Sequence, residues 1–205
     1  MSENKTKTYL ALGDSYTIGT SIAYPDNFPN QLAARLKAEY TVDLELKFVA
    51  QNAWRTDDLM RAIKRTDLED SYDLVSLLIG VNNQYQELPL ADFEEDFRKL
   101  LDTAIGRANN EKNRVMVLSI PNYGYTPFGA EKKEKTTQEL ALFNASIESI
   151  CKENDIDFFD VTTISLGAET REDYRANDRL HPSKEQYADW VDSFWDAAID
   201  KLNLK

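Results

Sequence analysis

Five short apolar segments alternate with longer stretches of helical periodicity, and this alternation constrains the fold more than any other feature of the sequence. The apolar segments are Thr8–Leu12, Leu44–Ala50, Leu74–Ile79, Arg114–Ile120 and Ile156–Val161. The helical stretches are Phe28–Tyr40, Thr56–Arg65, Phe93–Ala108, Lys132–Asn154 and Lys184–Leu204. Strands that alternate with helices predict an α/β fold with a parallel sheet and helices on both of its faces. The chain has 205 residues, which suits one domain over positions 1–205.

Charge and residue counts argue against several classes of function. Lys and Arg number 24 and Asp and Glu number 36, so the formal net charge is −12, which disfavours nucleic acids and anionic lipid surfaces. The only histidine is His181 and the only cysteine is Cys151. No intramolecular disulfide can form, and a His- or Cys-rich metal site cannot be built. A carboxylate-bound Mg²⁺ or Ca²⁺ stays open as an alternative, but no spacing in the sequence points to one. We therefore expect no metal, no cofactor, no nucleic acid and no membrane partner.

The beginning of the chain bears on localisation. It reads MSENKTKTY, which is polar and lacks the apolar region of a secretory signal peptide. No apolar stretch approaches the roughly 18 residues that a membrane-spanning helix needs. The sequence therefore predicts a cytoplasmic protein.

The residues that follow the predicted strands are the first candidates for chemistry, because ligands of open parallel sheets bind at the C-terminal strand ends. The first strand is followed by Gly13-Asp14-Ser15-Tyr16-Thr17. A glycine there permits a sharp turn into a helix, and a serine at the helix N-terminus is well placed to act as a nucleophile. The alternative is a serine or aspartate that only caps the helix, and for this motif alone the alternative is favoured.

Polar residues also follow the second and third strands. They form the segments Gln51-Asn52-Ala53-Trp54-Arg55-Thr56 and Gly80-Val81-Asn82-Asn83-Gln84-Tyr85. Neutral hydrogen-bond donors in such positions suit a developing oxyanion. Asn and Gly are also common in turns, so for the second segment the two interpretations are equally good.

The single histidine lies close to the C-terminus, in the segment Asp178-Arg179-Leu180-His181-Pro182. A lone histidine is more often structural than catalytic. Here Pro182 suits the first turn of the last helix, which places His181 at a loop–helix junction. Asp178 lies three residues earlier and can reach the imidazole Nδ1 and fix the tautomer.

Taken together, these motifs resemble the SGNH hydrolase superfamily, also called the GDSL esterases or lipases. The motifs occur in the family order, as Gly13–Thr17, Asn52–Thr56, Gly80–Asn83 and Asp178–His181. Each is short and weak alone, but all four stand at the ends of the appropriate strands, and the resemblance runs from Tyr9 to about Leu202. It implies a flavodoxin-like three-layer α/β/α sandwich with a central five-stranded parallel sheet.

The resemblance also implies roles for individual residues. Ser15 would be the nucleophile, His181 the general base and acid, and Asp178 the residue that orients His181. The oxyanion hole would consist of the Ser15 N–H, the Ala53 N–H and the Asn82 side chain. Ala53 stands where the family has glycine, so a positive φ there would cost roughly 1–2 kcal/mol; Trp54 is the next candidate donor. Asn83 stands where many members have aspartate, and we expect it to support the turn.

Aromatic residues are concentrated near the predicted site, above all in the loop 121–129 after the fourth strand. The candidate substrate contacts are Asp14, Trp54, Tyr85, Tyr123, Tyr125 and Phe128. Tyr16 is a further aromatic candidate for an acyl pocket or a sugar-stacking wall. Packing of loops onto the core is the alternative for about half of the aromatic residues. The charge run Glu131–Lys135 is expected to be solvated.

These observations predict a carboxylic ester hydrolase that cleaves a small-molecule ester, with a short acyl or O-acetyl group, through an acyl-enzyme on Ser15. Two alternatives stay open. One is acyl transfer to an alcohol, which uses the same catalytic residues. The other is a non-catalytic carbohydrate-binding relative, against which the presence of Ser15, Asp178 and His181 argues. The sequence leaves the oligomeric state open.

Overall fold

The computed structural model describes residues 5–204. Its strands are β1 (Lys5–Gly13), β2 (Val42–Ala50), β3 (Leu74–Leu78), β4 (Val115–Leu118) and β5 (Asp157–Phe159). They form one five-stranded sheet in the order β2-β1-β3-β4-β5, and every neighbouring pair is parallel. This is the flavodoxin-like strand order, and the predicted α/β fold with a five-stranded parallel sheet is confirmed.

Eight α-helices connect and cover the strands. They are α1 (Ser15–Ile18), α2 (Phe28–Tyr40), α3 (Thr56–Arg65), α4 (Val81–Tyr85), α5 (Leu90–Arg107), α6 (Lys133–Glu153), α7 (Thr162–Ser165) and α8 (Lys184–Lys201). Helix α2 packs against α8, while α5 packs against both α3 and α6. Right-handed crossovers place these two groups of helices on opposite faces of the sheet.

The central strands are buried on both sides, as their nearly continuous apolar sequences predict. Every residue of β3 and β4 is buried. Strand β2 lies at one edge of the sheet, and most of its residues are only partly buried. Burial on both faces explains why β3 and β4 lack the polar–apolar alternation that a half-exposed strand shows.

The observed bounds of the helices and strands differ from the predicted ones where the local sequence pattern is weak. Helix α1 begins at Ser15, where the turn after Gly13 predicted a helix, but α4 and α7 were not predicted, because four or five residues are too few to show a helical period. Helix α5 begins at Leu90, directly after Pro89. Strand β5 is limited to Asp157–Phe159, although the apolar segment is longer, because as an edge strand it pairs with β4 alone.

Strand register brings the sequence motifs to one place. Gly13, the last residue of β1, pairs with Ala50 at the end of β2 and with Leu78 at the end of β3. The segments that follow these three strands therefore emerge side by side at the C-terminal edge of the sheet. Among residues 5–204, no helix has both the length and the apolar character required to cross a membrane.

Candidate active site

Ser15 begins α1, immediately after the turn that leaves β1. The turn brings the backbone so close to its neighbours that a Cβ on Gly13 would lie 2.4 Å from the Leu78 carbonyl oxygen, so only glycine fits. Asp14 caps the helix, since its Oδ1 accepts a hydrogen bond from the Tyr16 N–H at 3.0 Å. The Ser15 N–H donates to no other described residue and is free to bind a ligand.

Asp14 itself is fully buried, with 0% exposure. Burial raises the pKa of its carboxyl to about 7, against the lowering effect of the hydrogen bond from the Tyr16 N–H. The second oxygen, Oδ2, has no hydrogen-bond partner among the described residues. The structure therefore places Asp14 next to Ser15 as a helix cap, and Asp14 does not line the cavity beside Ser15.

His181 lies on a short loop that folds back on itself before α8. Arg175 and Pro182 form an antiparallel bridge, and the Ala176 N–H donates to the His181 carbonyl at 2.8 Å. The Asp178 Oδ1 accepts from the Leu180 and His181 N–H groups at 2.9 and 3.0 Å. Its Oδ2 lies 2.6 Å from Nδ1 of His181, which is the contact predicted from the spacing of the two residues.

Ser21 is a residue of this site that the sequence did not indicate. Its Oγ donates to Oδ2 of Asp178 at 2.6 Å, the same oxygen that faces the imidazole. Partial burial of Asp178 favours the neutral acid, but the hydrogen bonds from Ser21 and His181 outweigh it and lower the pKa of Asp178 to about 2. Asp178 is therefore a carboxylate at any pH near neutrality.

The segment after β2 contains Ala53, the alanine for which the sequence raised the question of a positive φ. Ala53 adopts φ 63°, the left-handed conformation in which glycine is favoured. The Trp54 N–H donates to the Gln51 carbonyl at 3.4 Å, whereas the Ala53 N–H has no acceptor among residues 5–204. Of these two candidate donors, only the Ala53 N–H is unoccupied.

The segment after β3 begins with Gly80 at φ 128° and continues into α4. The Asn82 amide donates one hydrogen to the Trp54 carbonyl at 2.9 Å, and an amide nitrogen has a second hydrogen to offer. Asn83 lies beneath it, and its Oδ1 accepts from the Thr56 N–H at 3.1 Å while its Nδ2 donates to the Thr56 hydroxyl at 2.9 Å. Asn83 thus ties α4 to the start of α3.

One cavity of about 160 Å³ joins these segments. It is lined by Ser15, Tyr16, Asn52, Ala53, Val81, Asn82, Tyr85, Tyr123, Phe128, Leu180 and His181. The structure therefore brings the candidate nucleophile, the histidine, the candidate oxyanion residues and three of the predicted aromatic contacts to one place. The rings of Tyr16 and His181 lie 5.6 Å apart, and the Tyr187 hydroxyl donates to the Tyr16 carbonyl at 2.7 Å.

Two of the predicted aromatic contacts do not line this cavity. The Trp54 side chain packs against the hydrophobic core, while its carbonyl binds Asn82. The ring of Tyr125 lies beneath the ammonium of Lys133, 4.0 Å from the ring centroid. Asn52, from the second motif, also lines the cavity. Val81 and Leu180 line it without having been singled out, because an aliphatic side chain carries no signal of chemistry. Residues 5–204 hold no cluster of acidic, histidine or cysteine side chains that could bind a metal ion.

Comparison with known proteins identifies the family of the chain and supports its fold. Residues 11–188 match the GDSL-like lipase/acylhydrolase family, and the chain belongs to that family. No curated protein sequence gives a significant match.

Several solved structures share the fold at low sequence identity. TesA superposes with a TM-score of 0.74 at 15% identity, covering 96% of this chain and 99% of that one. The lipase/acylhydrolase from Enterococcus faecalis has a TM-score of 0.74 at 15% identity, with 97% of each chain covered. Axe2, an acetylxylan esterase from Geobacillus stearothermophilus, has a TM-score of 0.69 at 17% identity and covers 100% of this chain and 98% of that one. At these identities the likeness extends to the fold alone.

Proposed function

We propose that the protein is a serine esterase that cleaves a small carboxylic ester, with a short acyl or O-acetyl group, through an acyl-enzyme on Ser15. The observation that carries the proposal is the shared cavity of Ser15 and His181, with Asp178 held 2.6 Å from the far side of the imidazole. A serine hydroxyl needs a base to become a nucleophile, and His181 is the only histidine in the chain.

The hydrogen bond between Asp178 and His181 determines which nitrogen of the imidazole acts as the base. A carboxylate only accepts hydrogen bonds, so Nδ1 of His181 carries the hydrogen and Nε2 is left as the base. As the Ser15 Oγ attacks the ester carbonyl, Nε2 takes its proton. The resulting imidazolium is stabilised by the negative charge of Asp178, whose low pKa keeps it ionised.

The tetrahedral intermediate carries its negative charge on the former carbonyl oxygen. Three donors are available in the cavity, namely the N–H groups of Ser15 and Ala53 and the second amide hydrogen of Asn82. Removal of one such donor typically costs about 2.7–4 kcal/mol of transition-state stabilisation.

Turnover then needs three further proton transfers by the same imidazole. His181 protonates the leaving alcohol as its bond to the acyl carbon breaks, which leaves the acyl group on Ser15. Water, deprotonated by His181, attacks this ester, and the acid leaves as Ser15 recovers its proton.

The size of the cavity supports a short acyl group. An apolar protein cavity of about 150 Å³ can hold a molecule such as benzene. The cavity beside Ser15, at about 160 Å³, therefore has room for an acetyl or similarly short chain. The acetylxylan esterase among the structures of similar fold acts on an acetyl ester, in keeping with this size.

Hydrolysis of p-nitrophenyl acetate tests the proposal. We expect Ser15→Ala and His181→Ala each to lower kcat at least about 10³-fold, since the triad residues act as a unit. Ser149→Ala, an exposed serine on α6, is the matched control and should retain the wild-type rate. A fluorophosphonate probe should label the wild type but not Ser15→Ala. Equal hydrolysis by the wild type and both site variants would refute the assignment.

A further inference from the structure

The cavity beside Ser15 is the first of three adjoining hollows. Its aromatic wall of Tyr85, Tyr123 and Phe128 also lines a second hollow of about 400 Å³. A third hollow, of about 310 Å³, shares four polar residues with the second: Gln84, Glu87, Lys135 and Glu139. We call the second and third hollows together the distal groove. It leads away from the nucleophile between α4 and α6.

The boundary between the first cavity and the distal groove presents aromatic rings to solvent. Tyr85 is 55% exposed and Phe128 is 52% exposed. Their ring centroids lie 6.2 Å apart, and each lies close to the ring of the buried Tyr123, at 6.0 and 6.3 Å. Exposed rings held in place by a buried third ring offer a firm apolar platform to a ligand at low entropic cost.

Three charged side chains of the distal groove, those of Lys135, Glu87 and Glu139, are already paired with one another, and Glu131 and Lys132 also line the groove. Lys135 on α6 binds Glu87, which follows α4, and lies 3.7 Å from Glu139. The hydrogen bond from Lys135 lowers the pKa of Glu87, so this acid is ionised near neutral pH. Glu139 also accepts a hydrogen bond from the Gln84 amide at 2.7 Å. The groove therefore holds many hydrogen-bonding groups without a cluster of one charge.

The residues that line the distal groove favour some classes of ligand over others. A long acyl chain would lie against ionised side chains in the second hollow, and their desolvation would oppose it. An anionic ligand would meet three carboxylates, from Glu87, Glu131 and Glu139, against two ammonium groups, from Lys132 and Lys135, on a chain of net charge −12. A neutral ligand with many hydroxyl groups can hydrogen-bond to paired carboxylates and ammonium groups and can lay its C–H faces on the rings. Three hollows in a row suit a ligand of more than one unit.

We propose that the distal groove binds the alcohol portion of the substrate, and that this alcohol is an oligosaccharide. The acyl group would occupy the first cavity, the sugar that carries it would stack on Tyr85 and Phe128, and the next sugar would reach Lys135 and Glu87. The assignment of this sugar as the leaving group rests on the proposed esterase function, but saccharide binding can be measured without catalysis.

The experiment is a titration of Ser15→Ala protein with xylobiose and cellobiose, followed by backbone amide NMR. Gly129 and Thr136 lie in the second hollow and report on it directly. We expect their signals to shift with at least one disaccharide. In the same background, Tyr85→Ala and Lys135→Met should each weaken binding about tenfold, as loss of a stacking surface or of a charged hydrogen-bond donor does.

Two control variants match the test variants. Tyr24→Ala removes another exposed tyrosine, 62% exposed and packed on Phe48, that lines none of the three hollows. Lys99→Met removes a lysine on α5 with the same side-chain exposure as Lys135, 53%, and a similar bond to a glutamate. Both controls should bind the disaccharide as the Ser15→Ala parent does.

The outcomes separate this proposal from the proposed activity. Absence of shifts at Gly129 and Thr136 up to the solubility limit of both disaccharides would overturn the groove assignment, even if p-nitrophenyl acetate is hydrolysed. Equal binding by the test and control variants would also overturn it, as would displacement of the saccharide by decanoate at these residues. Saccharide binding that is weakened only by the test variants supports the groove assignment, and it does so even if the wild type hydrolyses no ester.

Discussion

Replacement of Ala53 by glycine should stabilise the protein. Ala53 has φ 63°, and an L-residue with a Cβ in this left-handed conformation costs roughly 1–2 kcal/mol. Glycine removes that strain but adds about 0.4–1 kcal/mol of conformational entropy to the unfolded chain. The balance is a net stabilisation of about 1 kcal/mol, which corresponds to about 2–4 °C in Tm for a chain of this size.

Urea denaturation followed by tryptophan fluorescence measures this difference. Trp190 and Trp195 are both buried on α8 and should report the global transition. Ala141→Gly is the matched control, because it makes the same chemical change at an exposed position in the interior of α6. There glycine should destabilise by about 0.5–1 kcal/mol. The two variants are therefore expected to move the midpoint in opposite directions.

The sign of the effect is the decisive result. If Ala53→Gly loses as much stability as Ala141→Gly, then Ala53 carries no backbone strain in solution.

Substitutions at three further residues test other parts of the site. If Asn82 stabilises the oxyanion, Asn82→Ala should lower kcat for p-nitrophenyl acetate about 10²–10³-fold with little change in KM. A change confined to KM would contradict that role. Ser21→Ala should raise the pKa of Asp178 from about 2 towards its ordinary value, as measured by carboxyl NMR, and lower kcat about tenfold. Ser21→Gly removes the same hydroxyl and suits the φ of 68° at this position. It should lose as much activity as Ser21→Ala if the effect comes from the hydroxyl. Since burial raises the pKa of Asp14 to about 7, its protonation stabilises the folded state below pH 4, and that contribution is lost as the pH rises through about 7. Asp14→Asn, which keeps an oxygen for the Tyr16 N–H, should remove up to about 4 kcal/mol of this pH dependence, and an unaltered stability profile between pH 4 and 8 would contradict it.

The sequence predicted the framework well because burial leaves a strong local pattern. The strands β3 and β4 are covered on both faces, and their apolar residues are almost continuous. Helices α2 and α3 have the predicted bounds, since proline or a threonine with following acids marks their first turn. The short helices α4 and α7 were missed because they owe their conformation to the turns and packing around them.

The site was predictable where neighbours in sequence are also neighbours in space. Asp178 and His181 are separated by three residues, and a single loop sets their contact. Ser21 lies 157 residues from Asp178 in the chain, and only the folded structure brings its hydroxyl to the carboxylate. The conformation of Ala53 was partly predictable. An alanine at a position where the family has glycine raised the question of backbone strain, and only the φ angle in the structure answers it.

The contact between Tyr187 and the backbone at Tyr16 has a consequence for biosynthesis. Ser15 leaves the ribosome long before His181 and α8, the helix that holds the Tyr16 carbonyl through Tyr187. Until α8 has emerged, a nascent chain lacks the imidazole that the proposed mechanism needs to activate Ser15. If that mechanism holds, the reactive centre assembles only after the last helix of the fold has been made.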